Sequence, residues 1–138
     1  MSVYEKIVTR TSIDKGWSGD RKYLAVTSDG EKYLLRISAI DRLERKRREY
    51  EKMSELADLS IPMCLPVEFG TCDEGAYSIQ SWIDGEDAEP LIVNMERQKQ
   101  YLYGIDAGRI LRKIHTIPAP HEAVDWAVTS VFSWQNSI

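Results

Sequence analysis

Near its start the chain alternates short apolar runs with glycine turns, at the two-residue period of strands. Glu5–Arg10 (EKIVTR) has the β-branched content of a strand, and Lys15-Gly16-Trp17-Ser18-Gly19 breaks the pattern with two glycines. Lys22–Thr27 and Lys32–Ile37 follow, and the Asp29-Gly30 between them is a hairpin signal. Together these runs predict a three-stranded meander. Period two puts Lys32, Leu34 and Arg36 on one face of its last strand, with Tyr33, Leu35 and Ile37 on the other.

The period then changes. Asp41–Asp58 has no Gly or Pro, is dense in Glu, Lys, Arg and Leu, and stops before Ile61-Pro62, which predicts a helix. At helical spacing Leu43, Tyr50, Met53, Leu56 and Ala57 form one apolar stripe, and Glu49 falls inside it. Glu44, Glu51 and Glu55 lie opposite. A carboxylate on the buried side needs a partner, because an unpaired buried charge is costly. Lys46 also falls near the stripe, one turn nearer the helix start, and is expected to snorkel outward. Pro66–Gly70 and Tyr77–Trp82 read as two further strands, completing a five-stranded antiparallel sheet with one inserted helix. Ile83–Ala88 is a connector. From about Met95 to His115 a second helix places Ala107, Ile110, Leu111 and Ile114 on one face, and Gly104 and Gly108 predict a close neighbour on another.

Composition narrows the function classes. With 138 residues, 43% of them hydrophobic, the chain has the length and core material of one ordinary domain. Apolar runs are short and Met1–Lys6 lacks a secretion-signal pattern, so no membrane contact and a cytoplasmic location are expected. A net charge of -4 argues against a general nucleic-acid binder, and the basic run Arg45-Lys46-Arg47-Arg48 is interleaved with enough acids to read as a solvated helix face. Cys64 and Cys72 form no C-x-x-C, and His115 and His121 complete no zinc spacing, so reduced thiols and no structural metal are expected.

The order of the pieces is more informative than any one of them. Strand, glycine turn, strand, hairpin, strand ending in a cation, helix with an inward Glu, two strands, connector and helix is the order of a protein-kinase-like N-lobe. There the backbone of the glycine turn covers nucleotide phosphates, and a third-strand cation held by a helix carboxylate contacts them. Taken alone, Gly16–Gly19 is a hairpin turn and Arg36 a surface arginine; Arg36 and Glu49 as a pair carry the functional reading.

The stretches KGWSGDRKY, DGEKYLLRIS, REYEKMSEL, SIQSWIDGEDAE and YLYGIDAGRILRKIHTIPAP resemble aminoglycoside phosphotransferase-type small-molecule kinases over about Tyr4 to Trp126. The resemblance implies an α+β fold: a kinase-like N-lobe over 1–82, a hinge over 83–94, and the first helices of a C-lobe over 95–138. It further implies γ-phosphoryl transfer from ATP to a hydroxyl of a small molecule, with Mg in the complete enzyme. Nucleotide contacts fall by position on Gly16, Trp17, Ser18 and Gly19 in the turn, on Arg36 and Glu49, and on the hinge at Ser81, Trp82 and Ile83. Arg36 stands where the family commonly has lysine; it keeps the charge and adds a planar fork.

One departure is large. Neither His115-Thr116 nor His121-Glu122 is followed by the Gly-Asp of the family's catalytic loop, so no catalytic or metal-binding residue is assigned. The expectation is the ATP-binding part of such a kinase, truncated and inactive alone, with its second helix and Trp126, Phe132 and Trp134 folding back on the sheet or self-associating. The alternative is a non-catalytic interaction module on the same lobe.

Overall fold

The computed structural model describes residues 1–120. It opens on a helical turn, α1 (Val3–Lys6), which the strand-like reading of Glu5–Arg10 overlooks. Ser2 and Glu5 form a capping box: the Ser2 hydroxyl accepts from Glu5 N–H, while the Glu5 carboxylate accepts from Ser2 N–H. Both residues are legible in the sequence as S-x-x-E.

Five strands follow: β1 (Ile7–Ser12), β2 (Arg21–Thr27), β3 (Lys32–Ser38), β4 (Pro66–Cys72) and β5 (Gly75–Ser81). They form one antiparallel sheet in the order β1-β2-β3-β5-β4. The inserted helix α2 (Leu43–Ala57) separates β3 from β4 in sequence, so β5 can return to pair with β3 and leave β4 at the edge. The fold class is the expected one. Beyond β5 come a short α3 (Ala88–Ile92), not foreseen in the connector, and α4 (Arg97–Ile114).

The two faces of the sheet differ in chemistry. Register places Leu35, Ile37, Tyr77 and Ile79 together, and with Ala25 they are the buried core. Val3, Tyr4 and Ile7 cover this face. Glu68 fastens the cover: its carboxylate accepts from Val3 N–H at 2.6 Å and from Tyr4 N–H at 3.4 Å, and from the Tyr77 hydroxyl at 2.7 Å. Tyr4 and Tyr77 stack with centroids 4.3 Å apart. The Tyr77 ring lies across Gly70, where a Cβ would come within 3 Å of the phenol, so only glycine leaves room for it.

Arg36, Ser38, Ser78 and Gln80 fall on the opposite face, under α2. There Tyr50 meets Phe69 at 5.5 Å between centroids, a contact worth about 1 kcal/mol beyond its area, and Arg47 lies over the same Phe69 ring. Leu43, Tyr50, Met53, Leu56 and Ala57 are all at least partly buried, as the helical stripe requires. Two charged positions on α2 depart from expectation. Lys46 does not snorkel outward: its side chain is 14% exposed, while that of Glu49 is 46% exposed. The reason is a buried acid on the sheet side, described below, that attracts the ammonium inward.

On α4, Ile110 and Ile114 are half-buried, whereas Leu111 is exposed and Ala107 is too. Beyond the adjoining backbone of α4 itself, no described atom lies within 4 Å of a Cβ placed on Gly104 or Gly108, so the close neighbour expected there is not found among the described residues. Trp126, Phe132 and Trp134 lie outside the described residues. No described helix is long and apolar enough to cross a membrane.

Glu68→Ala leaves two N–H groups of α1 and the phenol of the buried Tyr77 without their acceptor. It should lower unfolding free energy by about 1.5–3 kcal/mol, the range for hydrogen bonds to a charged group. Amide exchange at Val3 and Tyr4 should quicken in the same variant. Unchanged exchange at those two amides would show that α1 is held by other contacts.

Candidate functional site

The glycine turn joins β1 to β2. Gly16 has φ +96° and Gly19 has φ +70°, left-handed values that a Cβ disfavours, so both glycines are there for backbone geometry. Trp17 stands fully exposed at its tip. The turn is tied at both ends by lysines: Lys22 Nζ donates to the Lys15 carbonyl, and Lys15 pairs with Asp87 just before α3.

Asp20, the first residue after the turn's second glycine, has a side chain only 1% exposed. Its Oδ1 accepts from the Ser38 hydroxyl at 2.8 Å, and its Oδ2 accepts from Arg36 Nη2 at 2.9 Å and from Lys46 Nζ at 3.0 Å. One carboxylate thus joins the turn to β3 and to α2. Burial pushes its pKa up, but the hydrogen bonds from Lys46 and Ser38, with the Lys46 and Arg36 charges, outweigh this and hold it below the usual range.

The Arg36–Glu49 pair expected from the sequence is not made. Arg36 Nη2 reaches Asp20 and, at 3.2 Å, the Ser18 hydroxyl. Glu49 spends Oε1 on Arg45 at 3.1 Å and Oε2 on Lys46 at 2.8 Å. The Lys46 hydrogen bond is the main cause that lowers the Glu49 pKa. Four side chains therefore run in series as Arg36, Asp20, Lys46 and Glu49. The magnitudes rank them: an exposed i,i+4 pair such as Arg45–Glu49 contributes about 0.3–0.5 kcal/mol, whereas removing one partner of a buried pair costs about 3–5 kcal/mol. Sequence reasoning misses Asp20 and Lys46 because nothing local to either marks it. Lys46 is visible near the apolar stripe, but a partner 26 positions earlier is not.

A cavity of about 30 Å³, room for roughly one water, lies between α2 and the sheet beside this series. Asp20, Arg36, Lys46, Glu49 and Gln80 are among its walls. At the far end of β5, the Ser81 N–H is spent on the Leu65 carbonyl, and its hydroxyl accepts from Leu65 N–H, both at 2.8 Å. Trp82 and Ile83 follow, with Trp82 Nε1 donating to Asp84 at 3.0 Å and the Ile83 side chain exposed. Of the sequence-derived site residues, the structure brings Ser18 and Arg36 into contact and links Glu49 to them through Asp20 and Lys46. Ser81, Trp82 and Ile83 form a separate group at the end of the sheet. Among the described residues no three acidic, histidine or cysteine side chains gather as metal ligands.

Residues 9–129 match the phosphotransferase enzyme family. The chain belongs to that family. No curated protein matches it. Among solved structures it is similar to the Mycobacterium tuberculosis PknI kinase domain, with TM-score 0.51 and 15% identity over 87% of this chain. A cysteine-to-alanine mutant of the same domain gives TM-score 0.53 and 14% identity over 86% of this chain. In both cases this phosphotransferase-family chain spans 53% of the kinase domain's length. The likeness is one of fold.

Because the pKa of Asp20 is lowered by folding, its stabilisation is complete above its ordinary pKa, near pH 4, and is lost as pH falls through the lower folded value. Wild type should therefore lose more stability than Asp20→Asn between about pH 6 and about pH 3, as urea midpoints will measure. Equal losses in the two proteins would mean that Asp20 is not held as an ion.

Proposed function

We propose that this chain is the nucleotide-binding part of a kinase-like phosphotransferase that transfers the γ-phosphate of ATP to a hydroxyl of a small molecule. The observation that carries the reading is Arg36: an arginine on the third strand, anchored through one nitrogen to Asp20 and Ser18 of the glycine turn. Family membership and the kinase-like sheet support it.

The residues fit a nucleoside triphosphate in three respects. Two left-handed glycines let backbone N–H groups approach a phosphate closely. Arg36 is 28% exposed, so its guanidinium is reachable from solvent while its position is held from behind. Along the hinge, Ser81 has already committed its N–H, so recognition of a base falls to the backbone of Trp82 and Ile83. ATP supplies the phosphoryl group when bound; this chain's own residues bind and orient its phosphates, and no proton transfer is assigned to them. Magnesium is assigned no ligand here. We place the protein in the cytoplasm, a reading that its two free cysteines support.

Titrating MgATP against the chain, followed by tryptophan fluorescence, should give saturable binding, with Trp17 in the turn as one reporter. Arg36→Ala should weaken it about tenfold or more, the effect of losing a charge-assisted hydrogen bond to phosphate. Equal affinity in wild type and Arg36→Ala would remove the phosphate role of this residue.

A second reading, self-association through α4, is favoured by the exposure of Tyr101, Leu102, Tyr103 and Leu111 on that helix. Sedimentation velocity should then give a weight that rises with concentration, and Leu111→Lys should reduce the rise. A monomer at all concentrations excludes this reading.

A further inference from the structure

We propose that Asp20, and not Glu49, positions Arg36 for phosphate, with Lys46 as the counter-cation that leaves Arg36 able to bind an anion. The inference rests on the nucleotide reading above and names the residue on which that grip depends. Three observations carry it. First, both Glu49 oxygens are taken by Arg45 and Lys46, whereas both Asp20 oxygens face the sheet and one accepts directly from Arg36. Second, the Asp20 side chain is 1% exposed and that of Glu49 46%, so only Asp20 is confined enough to fix a partner's direction. Third, Asp20 and Ser18 hold Arg36 through Nη2 alone. Among the described residues Nη1 and Nε have no partner, so the N–H groups on these two nitrogens are left to donate to an anion.

Lys46 completes the charge balance. Asp20 alone would neutralise Arg36 and weaken its attraction for phosphate. With Lys46 on the same oxygen, and with Glu49 shared between Lys46 and Arg45, the five side chains carry a net positive charge. The placement also makes the grip a coupled one: the carboxylate belongs to the turn that would cover the phosphates, the guanidinium to β3 and the ammonium to α2. Moving α2 outward withdraws Lys46 from Asp20, and the hold on Arg36 changes with it.

The test starts without ligand. Side-chain NMR of ¹⁵N-arginine-labelled protein, assigned with Arg36→Lys, reads slowed rotation of the Arg36 guanidinium as resolved Nη proton signals. These should persist in Glu49→Gln and disappear in Asp20→Asn. Loss in Glu49→Gln would overturn the proposal, and because that variant retains Asp20 it decides the matter even if Asp20→Asn does not fold. In MgATP titrations Asp20→Asn should weaken binding about tenfold or more, and Glu49→Gln less than about threefold. The reverse order of effects overturns the proposal as well. A wild-type chain that binds no MgATP sinks the nucleotide reading; the guanidinium signals then still decide which carboxylate holds Arg36.

Discussion

A buried carboxylate cannot be left alone, and the polar half of this structure follows from meeting that requirement at Asp20. With a side chain 1% exposed, it must be neutralised by groups that reach it inside the fold. Arg36, Lys46 and Ser38 do so from β3, from α2 and from the end of β3. The glycine turn, the third strand and the inserted helix are therefore not three independent pieces. Each contributes to one ion cluster, and the position of each is conditioned by the other two.

The opposite face of the sheet holds the fold by other means. Leu35, Ile37 and Ile79 are all but excluded from solvent, and Glu68 ties α1 across them through two backbone N–H groups and the Tyr77 hydroxyl. The division of labour has a physical origin in the two-residue strand period. Alternate residues of β3 serve different faces, so an apolar core and a cationic site can be carried by the same seven residues without competing for space. The two faces depend on each other, because an ion cluster keeps a fixed geometry only when the backbone that carries it is rigid.

Much of this is legible in the chain's local patterns. The hairpin at Asp29-Gly30, the strands on either side, the helix after them and the side of β3 that carries Arg36 all follow from period and turn chemistry. The capping box at Ser2 and Glu5 is equally local, although the β-branched run beside it draws the reading toward a strand. Harder cases involve contacts across long stretches of chain. Glu49 falls within the apolar stripe by angle, yet it is Lys46, one turn earlier, that turns inward. A helical wheel weighs hydrophobicity around an axis; it does not know that a carboxylate waits on the sheet. On α4 the wheel places Ala107, Ile110, Leu111 and Ile114 in one stripe, of which Ile110 and Ile114 are half-buried while Ala107 and Leu111 are exposed.

By itself, then, the sequence determined the five strands, α2 and α4, their order, the face on which Arg36 lies and the family pattern, because propensity, period and turn preference act between near neighbours. Only the tertiary structure decided which acid holds which base. Asp20 meets Arg36 across 16 positions and Lys46 across 26, and no local preference encodes such a meeting. It arises when the antiparallel register of β2 and β3 carries the end of the turn beneath α2, and burial then selects the carboxylate that the two cations must share.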